Sequence, residues 1–427
     1  MKLQAVKGTN DILPEQDARW RSVVDAAAEV LGTASAGRLT TPIFEHAEVF
    51  EKSVGDSADL VVQKEMYTFE DRGGRRLSLR PEFTAAVVRA FIQHGMHTRP
   101  LPVKLWSAGP AFRAENVQRG RYRQFHQVNL ETIGNATPLA DAEAIELLYR
   151  TLARAGLTRH RIQLGSVGDP EDRAAYNAYL REALAPHAAE LSEASRERLR
   201  LNPMRVLDSK DARDQELIAG LKRPLELLGD EARRHFDAVA GYLTAWGVPF
   251  EVDDSIVRGL DYYRRTAFEV HYVGIGAQSA LGGGGRYDGL VELLGGPQLP
   301  GIGWAFGIER VLDALEQEGR GEAAVEGPVL FLVPLDDAAV GEGAALARRL
   351  REAGLRVEFA YQRRNPGKGL KDADRAGARY AALRGGSERE RGVWQLKELA
   401  SGEQREVRED ELAPLLQAGA PGATKEL

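Results

Sequence analysis

Cysteine is absent from this 427-residue chain, which removes disulfides, thiolate nucleophiles and every cysteine-based zinc site from consideration. Histidine is sparse, with 8 residues and neither HExxH nor another paired spacing, so a transition-metal centre is not expected. No apolar run approaches the length that spans a bilayer, and the opening MKLQAVKGTNDILP has no signal-peptide hydrophobic region. The expectation is a soluble, cytoplasmic protein with no membrane partner. No GxGxxG opens a helix and no GKS or GKT follows a glycine loop, which argues against a Walker-type site. Repeats and low-complexity tracts are lacking too. A formal net charge of −6 argues against a uniformly positive coat for nucleic acid.

What is present begins with size: a chain this long holds two or three domains. Apolar residues at Trp20, Val23, Val24, Ala27, Val30 and Leu31 have the spacing of an amphipathic helix over Glu15 to Leu31, closing near Gly32. Arg38 to Phe44 then reads as one strand ending around Pro42. Met66 to Phe69 and Arg76 to Arg80 flank Asp71-Arg72-Gly73-Gly74, a hairpin signal. Val103 to Ser107 and Phe125 to Ile133 are further strands. In the second, alternation puts Phe125, Gln127, Asn129 and Glu131 on one face and His126, Val128, Leu130 and Thr132 on the other. One face packs and the other presents polar groups. Hairpins separate these strands, so an antiparallel sheet with helices around it fits better than a doubly wound parallel one.

From about Asp169 to Glu251 the chain becomes helical and highly charged, and reads as an inserted helical subdomain whose charges are mostly solvated. Glu316 to Gly327 is a polar, glycine-containing linker. Beyond it, Val329 to Val333, Leu355 to Phe359, Arg379 to Leu383 and Val393 to Leu396 read as strands. Helices at Gly343 to Glu352 and Lys368 to Ala376 alternate with them, which describes a small α/β domain. The implied division is 1–326, with the insertion at about 169–251, and 327–427.

Two segments concentrate glycines, tyrosines and arginines: RGLDYYRRTAFE at 258–269 and GGGGRYDGL at 282–290. That mixture suits a small zwitterion joined to a phosphate. By itself, a glycine run is more often a turn than a phosphate cradle. Three further segments stand beside them, LRPEFT at 79–84, GPAFRAENVQRGRYRQFHQ at 109–127 and GIGWAFGIERVL at 301–312. Between Arg113 and Arg123 lie four arginines (113, 119, 121 and 123) against one acid, Glu115, a local excess able to meet phosphates.

In this order and spacing the five segments resemble the class II histidyl-tRNA synthetases. The start VKGTNDILP at 6–14 and the last hundred or so residues extend the likeness. The RGLDYY and GGRYDGL pair is its most specific part. The resemblance implies an α+β catalytic domain with an antiparallel class II sheet, the helical insertion, and a C-terminal α/β anticodon-binding domain. It also implies histidine, ATP with Mg2+ and tRNA(His) as partners, no zinc, and a homodimer formed through the segment around Pro42.

Joining a carboxylate to the α-phosphate of ATP is mainly a matter of positioning and electrostatic stabilisation, for which fixed arginines are suited. By resemblance, Arg113 is the motif 2 arginine on the α-phosphate, and Arg258 acts on that phosphate from the opposite side. Arg310 lies near the γ-phosphate, Arg121 toward the terminal phosphates, and Glu115 and Phe125 around the adenine. Glu82, Thr84 and Gln127 match positions that hold the α-amino group; Glu131 and Tyr263 match those that hold the ring nitrogens, with Tyr287 in the same signature. Two departures stand out: Phe83 where a small residue is usual, and Asn116 and Val117 where an Arg-Pro pair is common. Two alternatives remain open, a non-catalytic histidine-sensing paralogue and a tRNA-binding regulatory module.

Overall fold

The computed structural model describes residues 3–54, 65–118, 120–254, 256, 263–274, 280–320 and 327–418. Arg119 and Arg258 lie outside them. The chain separates into two compact units, Met1–Ala323 and Ala324–Leu427.

In the first unit the Pro14–Thr33 helix opens on a proline with Glu15 and Asp17 in its first turn, favourable for a helix N-terminus. It buries Val23, Val24, Ala27, Val30 and Leu31 along one stripe. The strands in chain order are β1 (Gly37–Arg38), β2 (Phe44–His46), β3 (Thr68–Glu70), β4 (Arg76–Leu79), β5 (Val103–Phe112), β6 (Gln124–Ile133), β7 (His160–Gly168), β8 (Phe250–Val252), β9 (Arg264–Tyr272), β10 (Ala280–Arg286) and β11 (Gly301–Gly307). An eight-stranded sheet has the order β1-β5-β6-β11-β10-β9-β7-β8. Its six inner strands pair antiparallel, and only the edges β1 and β8 run parallel to their neighbours.

The alternation along β6 divides the packing as its sequence requires. Val128 and Leu130 join Trp304, Phe306, Phe268 and Val270 in the main core, under the Pro14–Thr33, Pro138–Arg154 and Ile308–Gln317 helices. Ile133 and Phe125 face the other way, toward Phe83, Val87, Phe91 and Tyr287. On that second face Glu131 lies between Leu105 of β5 and Gly303 of β11.

Three local expectations change. Arg38 to Phe44 is two strands in two sheets, because β2 joins the separate β2-β4-β3 sheet. Pro42 has no N–H to continue a ladder, and the Arg80 guanidinium takes the Thr41 carbonyl at 3.0 Å instead. Second, the glycine run is a strand, not a turn. A Cβ on Gly284 would stand 2.0 Å from the Gly303 carbonyl oxygen, so the close approach of β10 to β11 requires its absence. Third, the stretch 169–251 divides. Tyr176, Leu180, Leu184, Met204, Val206 and Ile218 make a small core of their own, whereas Phe236, Val239 and Leu243 of the Asp230–Ala245 helix join the main core. The start of the stretch is tied to β9 by Asp169, which accepts from Arg264 and Arg265.

The second unit carries β12 (Leu330–Pro334), β13 (Val357–Phe359), β14 (Tyr380–Arg384), β15 (Val393–Glu398) and β16 (Gln404–Arg408). Their order is β13-β12-β14-β15-β16, parallel across β13, β12 and β14 and antiparallel beyond. Leu330, Leu332, Leu346, Leu350, Trp394 and Leu396 centre its core. β16 and the Glu409–Ala418 helix are additions to the sequence reading. Only Val407 is buried in β16, and an edge strand that polar leaves little hydrophobic signal.

Candidate active site

A cavity of about 310 Å³ opens on the sheet face that carries Glu131. Its walls come from the Glu82–Thr84 turn, the hairpin between β5 and β6, β10, and the junction of β11 with the Ile308–Gln317 helix. Arg113, Glu115, Arg121, Phe125, Gln127, Glu82, Thr84, Tyr263, Tyr287 and Arg310 all line it. Segments spread over more than two hundred residues of sequence therefore meet in one place.

Its cationic part is built from Arg113, Arg121 and Arg310. The Arg310 side chain is braced by the carbonyls of Gly120 at 3.2 Å and Ala280 at 2.8 Å. Burial, then the charge of Arg121, pushes its guanidinium below the usual arginine range. Arg113 and Arg121 flank Glu115 at 3.8 and 3.5 Å. The three guanidinium groups stand together on this side of the cavity, and the mutual repulsion of Arg121, Arg113 and Arg310 is relieved when an anion binds among them.

The second part is acidic and deeply buried. Glu82 accepts the N–H groups of Thr84 and, at 3.0 Å, Ala85 at the start of the Thr84–Gln93 helix. Burial nevertheless raises its carboxyl above the ordinary range. Glu131 accepts from Thr84 Oγ1 at 2.7 Å, from Asn129 at 3.1 Å and from the Tyr287 hydroxyl. Complete burial still pushes it up to about 8. A Cβ on Gly303 would lie 1.9 Å from Glu131 Oε2, so the glycine makes room for the carboxylate. Gln127 adds a buried Oε1 with no hydrogen-bond partner among the described residues, an acceptor suited to a ligand N–H.

Arg113 joins the two parts. Its Nε donates to the Pro81 carbonyl at 3.0 Å, one residue before Glu82, and its charge acts on the Glu82 carboxyl. Its guanidinium also lies over the Phe125 ring, 5.2 Å from the centroid. Phe83 is 2% exposed and packs in the core with Val87 and Phe91. The Arg80 guanidinium lies 4.1 Å from its ring centroid, so the bulkier side chain is absorbed without displacing Glu82 from the cavity.

The structure modifies one expected position: Glu131 does not line the cavity but sits one layer behind Thr84 and Tyr287, which do. Arg258 lies outside the described residues. Several residues were not anticipated. Tyr122, Glu269 and Glu309 line the cavity, and Glu309 accepts from the His126 main-chain N–H at 3.0 Å and contacts its ring Nδ1 at 2.7 Å. Its place beside Arg310 in the sequence was the available signal. Behind Tyr287, Arg286 is fully buried against Asp141, which also accepts from Arg286 Nε at 3.1 Å and contacts His235 at 2.8 Å. No sequence signal links that pair.

An antiparallel sheet bearing arginines from a hairpin and from a strand-to-helix junction around one cavity fits the catalytic domains of class II aminoacyl-tRNA synthetases. Within that class, the chain belongs to the histidyl-tRNA synthetase family: residues 8–311 match the model of Histidyl-tRNA synthetase, and residues 330–419 match that of the Anticodon binding domain. A Histidine–tRNA ligase of Thermus thermophilus is 56% identical over 98% of this chain and 100% of its own length. One from Deinococcus radiodurans is 52% identical, covering 97% and 100%. The crystal structure of apo S. aureus histidyl-tRNA synthetase superposes with a TM-score of 0.82 at 35% identity, over 97% of this chain and 100% of that one. The resemblance read from the five segments is thus borne out across both units.

Proposed function

We infer that this protein is a histidine–tRNA ligase, joining histidine to ATP as histidyl-adenylate and passing the histidyl group to the terminal ribose of tRNA(His). The observation that carries this reading is the position of Arg113 between the arginine group and the buried Glu82 and Glu131 pair. Histidine held by its ammonium at Glu82, Thr84 and Gln127 presents its carboxylate toward Arg113. A carboxylate oxygen attacks the α-phosphorus, the bond to the bridging oxygen of the β-phosphate breaks, and pyrophosphate leaves. No protein base or nucleophile is needed. Arg113 stabilises charge growing on the α-phosphate, while Arg121 and Arg310 hold the departing phosphates. Arg258, on the Arg258 to Glu269 signature, is assigned to the α-phosphate from the other side.

Glu131, Tyr263 and Tyr287 are assigned to the imidazole. A ring nitrogen that donates needs an acceptor, and the cavity-lining Tyr287 hydroxyl oxygen, whose own proton goes to Glu131 behind it, provides one. Glu115 and Phe125 are assigned to the adenine. Magnesium enters as part of MgATP, carried on phosphate oxygens. In the second step a ribose hydroxyl attacks the activated carbonyl and AMP departs.

The region 327–427 is assigned to the anticodon, and the boundary is set by the polar stretch before Gly327. A homodimer through the Pro42 segment is supported by the exposed Ile43, Phe44 and Phe69. The protein is assigned to the cytoplasm; among the described residues no helix is long and apolar enough to cross a membrane. Retention of Arg113, Arg121 and Arg310 speaks for the catalyst over a histidine-sensing paralogue or a tRNA-binding regulatory module. Histidine-dependent exchange of pyrophosphate into ATP tests the assignment, and its absence in purified protein overturns it.

A further inference from the structure

The opening segment VKGTNDILP takes no part in the chemistry above, yet its main chain is bonded to the hairpin that carries Arg113 and Arg121. The Val6 carbonyl accepts from Thr9 N at 2.9 Å and from Thr9 Oγ1 at 2.8 Å. These bonds close a turn in which Gly8 has a φ of +87°. The Gly8 carbonyl then accepts from Arg123 N at 2.7 Å and from Gln124 N at 3.2 Å. The Arg123 carbonyl in turn accepts the N–H of Arg113 at 3.0 Å, and Gln118 and Arg121 are paired next to it. The returning limb of the hairpin is therefore held on one side by Arg113 and Gln118 and on the other by Gly8.

There is no room at this contact for a side chain. A Cβ on Gly8 would come 2.7 Å from Val117 Cγ2 and 3.0 Å from Arg123 Cγ. Positive φ and close approach both call for glycine. A two-stranded hairpin is marginal in water without further support, and the Arg121 side chain is half exposed. Its geometry is thus supported by a neighbouring segment, and Gly8 supplies two of the main-chain bonds.

We propose that Gly8 is a positioning residue for the ATP-binding hairpin, its carbonyl holding the Arg123 main chain and through it Arg113 and Arg121 where they meet the phosphates. The proposal rests on the phosphate roles assigned to those arginines. A shift of about 1 Å in a substrate-positioning group costs on the order of 10² in rate, so a small displacement at Gly8 is readable in ATP use. Of the histidine contacts, Glu82, Thr84, Tyr263 and Tyr287 lie outside the hairpin, and Gln127 lies beyond Gln124 within β6, so the larger effect falls on ATP.

The test is pyrophosphate exchange by full-length Gly8→Ala, with ATP and histidine varied in turn and thermal unfolding recorded. KM for ATP is expected to rise about tenfold or more, with KM for histidine and the unfolding midpoint close to the parent's. Val117→Ala removes the methyl group that the new Cβ meets; added to Gly8→Ala it should restore a large part of ATP affinity. Deletion of residues 1–8 should reproduce the ATP-specific defect. Unchanged ATP kinetics, a parallel rise in both KM values, or no restoration by Val117→Ala overturns the proposal. Failure of both Gly8→Ala and the deletion to fold assigns Gly8 to folding and also overturns it. Arg113→Ala and Arg121→Ala, measured alongside, separate the two levels: if they leave ATP use intact the phosphate assignment itself fails, and if they impair it while Gly8→Ala does not, only the clamp fails.

Discussion

Thr84 Oγ1 donates to the carboxylate of Glu131 across 2.7 Å, although 47 residues separate them in sequence. The bond fastens the Glu82 turn to the centre of β6 and places a carboxyl with a pKa of about 8 behind the cavity wall. Its titration gives the first prediction. The unfolded group ionises near 4.5 and the folded one near 8, so the folded protein binds the extra proton between those values. Glu131 therefore contributes a stability term that falls as pH rises through this window and is constant above it. Glu131→Gln should flatten that part of the pH dependence of thermal unfolding. If histidine binds to the carboxylate form, about one proton should be released per histidine bound at pH 7, and none in Glu131→Gln. Calorimetry in buffers of different ionisation enthalpy measures this, and equal proton release by both proteins would remove Glu131 from the histidine site.

The same substitution should weaken discrimination against analogues that lack a ring N–H. A site built to hydrogen-bond its substrate rejects such analogues far better than it rejects a missing methylene. Competition in the exchange reaction measures it, and unaltered histidine affinity together with unaltered exclusion of isosteric analogues contradicts the assignment.

Arg310→Ala should slow adenylate formation by on the order of 10² or more, as for loss of an oxyanion-type donor. Histidine binding should be nearly unchanged, because the guanidinium is braced by Gly120 and Ala280 and is not bonded to the acidic part of the cavity. Arg258→Ala is expected to behave similarly. Single-turnover measurement of the first step distinguishes these from a binding defect.

Arg286→Met should destabilise the first unit by about 3–5 kcal/mol, because it leaves Asp141 as a buried charge with reduced compensation. Asp141 retains His235 and Thr266, which limits the loss. Denaturant unfolding reads the effect, and a change below about 1 kcal/mol would mean that the pair acts like a surface bridge.

Removal of Gly327 to Leu427 should separate the half-reactions. Every residue assigned to adenylate chemistry lies at or before Arg310, and the second unit has its own core around Leu332 and Trp394. Histidine activation should persist while charging of tRNA falls sharply. Undiminished charging contradicts the anticodon role, and loss of both activities in a folded dimer contradicts the independence of the boundary.

The alternation of β6 and the helical stripe from Val23 to Leu31 were legible in the sequence because each is a periodicity within a few turns or residues of chain. The arginines 113, 121 and 310 were legible as well, since they lie in short segments with recognisable order. Tertiary structure decided what those periods could not express. It turned a glycine run into a strand by pressing β10 against β11 at Gly284, and it broke the segment around Pro42 between two sheets. It also brought Asp141 to Arg286 across 145 residues and removed Glu131 from water. Side-chain period is a local property of covalent geometry; desolvation and close backbone approach exist only once distant segments share the same space.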